Sequence, residues 1–169
     1  MSYERHNIKS VTKDLQKFVI NTPVLRFDII DSLCNCNVFF KCENFQHTGS
    51  FKYRAAINAI KKMPVEFKQT GVITHSSGNF AHALARAAYE LKIPCHIVMP
   101  NNTPNFKKSS VLSYTKNVIE CESNLKAREF TTSEILKNKN LYFIHPSNNM
   151  DVILGNSSFA LEFEIDYPN

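Results

Sequence analysis

From residue 38 onward, short apolar runs alternate with longer segments whose apolar residues recur at helical spacing. Short runs rich in Val, Ile and Phe are typical of buried strands, whereas apolar residues three and four positions apart are typical of helices. The pattern predicts five strands, over residues 38–42, 71–74, 94–99, 117–121 and 141–144. It predicts helices over residues 50–63, 80–91, 106–114, 125–136 and 152–165. This alternation predicts an α/β fold, in which a parallel sheet carries helices on both faces.

The loop that leads into the first of these helices contains a candidate reactive lysine. Gly49 permits a tight turn, Ser50 is suited to cap the helix, and Lys52 falls in the first helical turn. The partial positive charge at a helix N-terminus disfavours an ammonium ion, so the pKa of Lys52 is expected to fall. A neutral lysine amine is the nucleophile of Schiff-base chemistry. An ordinary solvated surface lysine is the competing interpretation of this segment.

A second polar segment connects the next predicted strand to an Ala-rich helix and contains Ser76, Ser77, Gly78 and Asn79. Free backbone N–H groups at a helix start attract an anion, and hydroxyl and amide side chains add hydrogen bonds. Both polar segments follow predicted strands, and ligands of parallel sheets bind at the carboxyl ends of strands. The segment therefore indicates a site for a carboxylate or a phosphate, with simple capping of the helix by serine as the alternative.

Charge and cysteine content narrow the possible partners. The net charge is +5, and the basic residues are spread along the chain rather than gathered on one stripe, as a nucleic-acid-binding protein would have them. Five cysteines with no C-x-x-C pair indicate reduced thiols and a cytoplasmic protein. Cys34 and Cys36 have no second Cys/His pair at ligand spacing, so no metal site is predicted. No apolar run reaches the ~18 residues of a membrane span, and residues 1–10 do not resemble a secretory leader.

The two polar segments and their spacing resemble one enzyme family. Residues 40–43 and 48–56 resemble the cofactor-lysine motif of the fold type II pyridoxal-phosphate enzymes, and residues 74–79 resemble that family's substrate-carboxylate loop. The resemblance extends from Thr22 to Glu164 and is nearest to the serine racemases and the serine/threonine dehydratases. It implies an enzyme that interconverts L- and D-serine and dehydrates serine or threonine to an oxo acid and ammonia.

The resemblance also implies a role for each site residue. Lys52 would form a Schiff base with pyridoxal 5'-phosphate and move the α-proton on one face of the substrate. Ser77 would act as acid and base on the other face, and Ser76, together with Ser77, would hold the substrate carboxylate. Asn79 would bind that carboxylate and lie beside the cofactor's 3-oxygen, while Phe51 would pack near the cofactor ring. The resemblance further implies a homodimer and a small amino-acid substrate, with no nucleic-acid or membrane partner.

Length is the main departure from the family, whose members are much longer than this chain of 169 residues. The resemblance divides the chain into the start of a large domain (1–70), a whole small domain (71–147) and a truncated return to the large domain (148–169). The glycine-rich loop that binds the cofactor phosphate, and the divalent-metal site of the serine racemases, would lie outside it. A truncated, non-catalytic paralogue that associates with a partner subunit is therefore the alternative, and a generic α/β binding module is a third hypothesis.

Individual residues depart from the family as well. Ala55 stands where the family prefers glycine, Phe80 where it usually has histidine, and His82 where it usually has glutamine. The segment 155–158 keeps only the first glycine of the corresponding family motif. These differences predict altered helix packing near Lys52 and altered ordering of the carboxylate loop.

Overall fold

A computed structural model describes residues 5–167. They form seven α-helices, one four-stranded parallel sheet and one two-stranded antiparallel sheet. The helices are α1 (Arg5–Leu15), α2 (Asp28–Cys34), α3 (Lys52–Lys62), α4 (Asn79–Glu90), α5 (Asn105–Leu112), α6 (Leu125–Asn138) and α7 (Met150–Asp166). The strands are β1 (Val24–Leu25), β2 (Phe40–Lys41), β3 (Val72–His75), β4 (Cys95–Pro100), β5 (Val118–Cys121) and β6 (Tyr142–Phe143). Short 3-10 helices cover Glu43–Phe45, His47–Gly49 and Val65–Phe67. Within residues 5–167, no helix is both long and apolar enough to cross a membrane.

Four strands form the parallel sheet that the sequence predicts. Their order is β5-β4-β3-β6, and Val72 of β3 pairs with Cys95 on one side and with Tyr142 on the other. The chain runs from β3 through β4 to β5 and then crosses back to place β6 beside β3. The prediction of a parallel sheet is confirmed, and the ends of the predicted elements differ from the observed ones by only a few residues.

Alternate residues of the sheet face two different helical layers. Val72 and Ile97 lie in the main core, which also contains the buried faces of α3 and α4. Ile73 and Val98 point the other way, into a second cluster against Ile135 of α6. This alternation is the period of two expected for a strand buried on both faces. The prediction of helices on both faces of the sheet is therefore confirmed.

The N-terminal region differs from the predicted pattern. The strand predicted over 38–42 is observed only as β2, which pairs antiparallel with β1, with Leu25 opposite Phe40, and does not join the parallel sheet. Helix α1 was not predicted, because its sequence is mostly polar and offers few apolar residues to a periodicity search. It nevertheless buries Val11 and Leu15 and packs against α7.

The close contact between α7 and α3 sets the position of the helix that carries Lys52. A Cβ added at Gly155 would lie 2.6 Å from the carbonyl oxygen of Arg54 and 2.8 Å from the Cα of Ala55. The side chain of Asn58 donates a hydrogen bond of 2.8 Å to the carbonyl oxygen of Asp151 across the same contact. The lack of a side chain at Gly155 therefore allows the two helix backbones to approach closely.

Replacing Gly155 with alanine is expected to lower the free energy of unfolding by about 1–3 kcal/mol, because the methyl group would overlap the backbone of α3. The better helix propensity of alanine, about 1 kcal/mol, offsets only part of this cost. Urea denaturation measures the difference. Gly78→Ala is the matched control, since a Cβ there would meet no atom within 4 Å. Unchanged stability of Gly155→Ala would contradict the close approach of α3 and α7.

Candidate active site

A tightly held loop leads into α3. The amide of buried Gln46 accepts hydrogen bonds from the backbone N–H groups of Ile20 (3.1 Å) and His47 (3.0 Å) and donates one to the carbonyl oxygen of Ile20 (2.8 Å). Thr48 and Gly49 both have positive φ, 64° and 69°. This conformation suits glycine but is strained for a β-branched residue, and such strain persists where the surroundings enforce it. The loop thereby fixes the point at which α3 begins.

The structure does not support the predicted capping role of Ser50. Phe51 occupies the N-cap position of α3, and no side chain makes a capping hydrogen bond there. The hydroxyls of Ser50 and Thr48 are both buried without a hydrogen-bond partner in the described part of the chain. Because buried polar groups almost always have partners in native proteins, these two hydroxyls fit a site that receives a polar ligand.

Lys52 is the first residue of α3 and is half-buried. Its Nζ donates a hydrogen bond of 3.4 Å to the carbonyl oxygen of Pro146 and lies 5.1 Å from the centre of the Phe51 ring. Burial penalises the ammonium form and lowers the pKa of Lys52. The sequence predicts the same direction from the helix N-terminus, whereas the cause found in the structure is burial. Phe51 itself packs against Phe159 of α7, with ring centres 6.0 Å apart.

The segment from Ser76 to Asn79 continues directly from β3. The N–H of Ser76 donates to the carbonyl oxygen of Val98 on β4 (3.0 Å), and the Ser76 hydroxyl accepts from the N–H of Gly78 (3.4 Å). Gly78 is the N-cap of α4, and no side chain caps that helix. The alternative interpretation of this segment as a simple serine cap is therefore wrong. Ser77 is half-buried and Asn79 is exposed, and open space lies in front of Gly78.

The loop that follows β6 contacts both Lys52, at the start of α3, and His75, at the end of β3. The carbonyl oxygen of Pro146 contacts Lys52, and the ring of His145 lies 5.5 Å from that of His75, the residue before Ser76. The Nδ1 atom of His145 accepts hydrogen bonds from two backbone N–H groups of its own loop, which holds the ring in place. The start of α3 and the end of β3 therefore lie near the same loop.

His75 is a buried residue to which the sequence analysis assigned no role. It is only 4% exposed, and its Nδ1 has no hydrogen-bond partner among the described residues. Burial lowers the pKa of His75, and the positive charge of Arg128 lowers it further. The imidazole is therefore neutral near neutral pH and packs against Phe143, with ring centres 5.5 Å apart.

A buried ionic network fixes the first turn of α3. Arg54 is fully buried and donates hydrogen bonds to Glu43 (2.9 Å) and Glu162 (2.7 and 2.8 Å). Glu162 also pairs with Lys41 at 3.1 Å, and the hydroxyl of Thr22 donates to Glu43 at 2.7 Å. Burial disfavours the charged guanidinium, but the two carboxylates outweigh it and raise the pKa of Arg54. The network joins α3 to the segment 22–43, which contains β1 and β2, and to α7.

The described residues contain no group of three or more His, Cys, Asp or Glu side chains arranged to hold a metal ion. Cys34 and Cys36 are exposed, and the five cysteines are unpaired. The absence of a metal site in the whole protein remains a prediction.

Comparison with known proteins gives a consistent result. The family model described as pyridoxal-phosphate dependent enzyme matches residues 15–168. The chain is 38% identical over 156 residues to the serine racemase of Dictyostelium discoideum, covering 92% of this chain and 48% of that protein. It is 38% identical over 148 residues to the β-hydroxyaspartate dehydratase of Paracoccus denitrificans, covering 88% of this chain and 47% of that protein.

Solved structures agree with the sequence comparison. The structure of maize serine racemase superposes with a TM-score of 0.95 at 34% identity, covering 100% of this chain and 51% of that one. The Dictyostelium serine racemase structure gives a TM-score of 0.90 at 37% identity, covering 97% of this chain and 53% of that one. The chain thus spans about half the length of the relatives it matches. With nearly all of its residues matched, the chain belongs to the family of pyridoxal-phosphate dependent enzymes.

Proposed function

We propose that this chain provides the lysine-bearing half of a pyridoxal-phosphate enzyme of the serine racemase type. Its reactions would be the interconversion of L- and D-serine and the dehydration of serine or threonine to an oxo acid and ammonia. For serine, dehydration removes water across the Cα–Cβ bond, and hydrolysis of the remaining imine gives pyruvate and ammonia. The serine racemase matches at 34–38% identity support this activity. The name of the Paracoccus relative leaves open whether the substrate side chain is neutral or acidic.

The observation that carries the proposal is the position of Lys52. It is a half-buried amine with a lowered pKa, next to an aromatic ring and beside the loop that reaches the carboxylate segment. A lysine whose pKa is lowered supplies more of the neutral amine that attacks an aldehyde. The unpartnered hydroxyls of Thr48 and Ser50 fit a polar group bound alongside. Lys52, with Thr48 and Ser50 beside it, is thus suited to hold the aldehyde end of pyridoxal 5'-phosphate.

Each site residue then has a distinct task. Lys52 would hold the cofactor covalently and take the α-proton of the L-enantiomer at its Nζ. Ser77 would deliver a proton to the α-carbon from the opposite face through its hydroxyl. When bound, the cofactor supplies a conjugated ring that accepts the electron pair left on the α-carbon. The protein supplies orientation and proton transfer.

The remaining site residues would bind rather than react. The hydroxyl of Ser76 and the amide of Asn79 would hold the substrate carboxylate, helped by the N-terminal end of α4. Asn79 would also approach the cofactor's 3-oxygen, and Phe51 would cover one side of its ring. The packing of Phe51 against Phe159 supports that role, because it limits how far the ring can turn.

We further propose the domain division 1–70, 71–147 and 148–169. The parallel sheet lies within 72–143, and α7 returns to pack against α1 and α3, which supports two units joined near residues 70 and 147. Residues corresponding to the unmatched half of the relatives would supply the phosphate site. The second hypothesis is a truncated, non-catalytic paralogue that binds a partner subunit. We also propose that the enzyme is a homodimer and lies in the cytoplasm.

A Ser77→Ala variant separates the two proton-transfer roles. D-serine formation from L-serine is expected to fall at least ~100-fold, because general acid–base catalysis at this position would be lost. Exchange of the α-proton of L-serine with deuterated solvent should persist, since Lys52 serves that face. A coupled assay for D-serine and pyruvate, with NMR for the exchange, measures both in protein supplied with pyridoxal 5'-phosphate.

The control for this test is Ser113→Ala, which removes an exposed hydroxyl at the C-terminal end of α5 that donates to the carbonyl oxygen of Ser109. Unchanged formation of D-serine in Ser77→Ala would overturn the role given to Ser77. The absence of both exchange and turnover in the wild-type protein would favour the non-catalytic hypothesis.

A further inference from the structure

The residue that follows Lys52 makes a polar contact between α3 and α4. Tyr53 is fully buried, and its hydroxyl donates a hydrogen bond to the carboxylate of Glu90, the last residue of α4. Glu90 also accepts a hydrogen bond of 2.7 Å from Arg86, which lies one turn earlier in the same helix. The first turn of α3 is thus joined to the end of α4 by a bond that involves a charged group.

The ring of Tyr53 has two further contacts. The guanidinium carbon of Arg86 lies 5.6 Å from the ring centre, within the range of a cation–π interaction. The ring of His47 meets it edge-on, with ring centres 4.9 Å apart, and His47 belongs to the loop that leads into α3. Tyr53, Glu90, Arg86 and His47, together called the Tyr53 cluster, therefore tie this loop, α3 and α4 to one another.

The surroundings of the two bonded groups favour a neutral phenol and an ionised carboxylate. Burial raises the pKa of Tyr53, and the hydrogen bond to Glu90 raises it further. Burial also disfavours the charged form of Glu90, but the hydrogen bonds from Tyr53 and Arg86 outweigh it and lower the pKa of Glu90. Near neutral pH the phenol therefore donates to a charged acceptor, and such a bond is stronger than one between two neutral groups.

Lys52 makes a second contact between this helix turn and the same part of the chain. Its Nζ donates to the carbonyl oxygen of Pro146 in the loop after β6, and β6 pairs with β3, which leads into α4. Both contacts thus join α3 to elements of the proposed small domain, 71–147. Consecutive side chains of a helix point about 100° apart. Contacts through Lys52 and Tyr53 therefore fix the rotation of the first turn as well as its distance from the sheet.

We propose that Tyr53 and Glu90 are positioning residues of the active site, whose hydrogen bond holds the first turn of α3 against α4 and so keeps Lys52 in its reactive position. The inference rests on the proposed function, because it takes Lys52 as a proton-transfer group. Tyr53 and Glu90 act through the position of Lys52 and not on the substrate itself. A displacement of about 1 Å at a reacting group can cost on the order of 100-fold in rate, so a contact at the adjacent residue is sufficient to affect turnover.

The pH dependence of Lys52 reactivity tests this role in the protein without cofactor. The protein is labelled briefly with acetic anhydride at a series of pH values, and the label on Lys52 is quantified by mass spectrometry. Because burial lowers the pKa of Lys52, its pH midpoint of labelling should lie below that of ordinary exposed lysines. Tyr53→Phe keeps the ring but removes the hydroxyl, and should raise the midpoint by at least about half of that difference, because water then reaches the amine.

Three further variants make this test specific. Glu90→Ala removes the acceptor at an exposed helix end, should raise the midpoint in the same way, and decides the matter alone if Tyr53→Phe does not fold. Glu90→Gln keeps an oxygen that accepts from Tyr53 and should restore most of the wild-type midpoint. The matched control is Tyr89→Phe, since Tyr89 is an exposed residue of the same helix whose ring lies against Tyr114. An unchanged midpoint in folded Tyr53→Phe or in Glu90→Ala would overturn the positioning role, and so would an equal shift in Tyr89→Phe.

A second measurement connects the position of Lys52 to catalysis. In protein supplied with pyridoxal 5'-phosphate, Tyr53→Phe should keep the imine absorbance at saturating cofactor, since Lys52 is unchanged. Its kcat for exchange of the α-proton of L-serine should fall at least ~10-fold, with a smaller change in KM. A higher KM with unchanged kcat would overturn the positioning role, because only substrate binding would have changed. No exchange in the wild-type protein, with the midpoint of Lys52 still raised by Tyr53→Phe, would count against the proposed function alone.

Discussion

A Lys52→Ala variant is expected to lose covalent binding of pyridoxal 5'-phosphate and to lower amino-acid turnover by at least ~1000-fold. Both losses follow because one amine would serve as the attachment point and as the proton-transfer group. The absorbance of the imine, recorded after adding the cofactor to the purified protein, measures the attachment directly. The half-buried position of Lys52 and its lowered pKa are the reasons to expect attachment there rather than at a surface lysine.

The matched control is Lys116→Ala, which removes an exposed lysine at the opposite end of the sheet. It should keep the imine absorbance of the wild-type protein. An unchanged absorbance in Lys52→Ala would show that another amine holds the cofactor. Circular dichroism of both variants checks that the fold is intact, which is expected because the hydrogen bond from Lys52 to Pro146 is long, at 3.4 Å.

An Arg54→Met variant is expected to lose about 3–5 kcal/mol of the free energy of unfolding. Removing one partner of a buried ionic network leaves the other charges without compensation. Here Glu43 would lose its guanidinium partner, and Glu162 would keep only Lys41. Methionine fills a volume similar to that of the arginine stem, so the loss reports the charge rather than a cavity. Urea denaturation measures the effect.

The control for Arg54 is Arg26→Met, because Arg26 pairs with Asp31 on the surface, where the arginine side chain is 44% exposed. Surface ion pairs contribute about 0–1 kcal/mol, so Arg26→Met should cost no more than that. Equal losses in the two variants would contradict the view that burial makes the Arg54 network strong. In Arg54→Met, cofactor attachment at Lys52 should also weaken, because the first turn of α3 would no longer be held.

The central sheet was predictable because its signal is local. Each of β3 to β6 lies in a short apolar run bounded by turn residues, and α4 has alanine and leucine at helical spacing, so the alternation of strands and helices can be recognised locally. The N-terminal region lacked such a signal. Helix α1 is mostly polar and buries only a narrow stripe around Val11 and Leu15. The two-residue strands β1 and β2 are too short for any pattern to choose their partner.

Of the candidate site, only the features that depend on residues close together in the sequence could be predicted. The positions of Lys52 and of the segment Ser76–Asn79 follow from strand–loop–helix order, and the pKa of Lys52 falls as predicted, although through burial. The network around Arg54 was not predictable, because Glu43 and Glu162 are brought together by tertiary packing. The contact between Tyr53 and Glu90 depends on how α3 packs against α4, which no local pattern shows.

The most direct test of the central claim is to trap the cofactor and locate it. The protein is mixed with pyridoxal 5'-phosphate at about pH 7, reduced with borohydride, digested, and its labelled lysines are quantified by mass spectrometry. Ordinary lysines, with pKa values near 10.4, are almost fully protonated at that pH. The label should therefore lie mainly on Lys52, and this preference should shrink near pH 11, where all lysine amines become neutral. Label spread evenly over exposed lysines such as Lys116 at about pH 7 would contradict the assignment of Lys52 as the cofactor lysine.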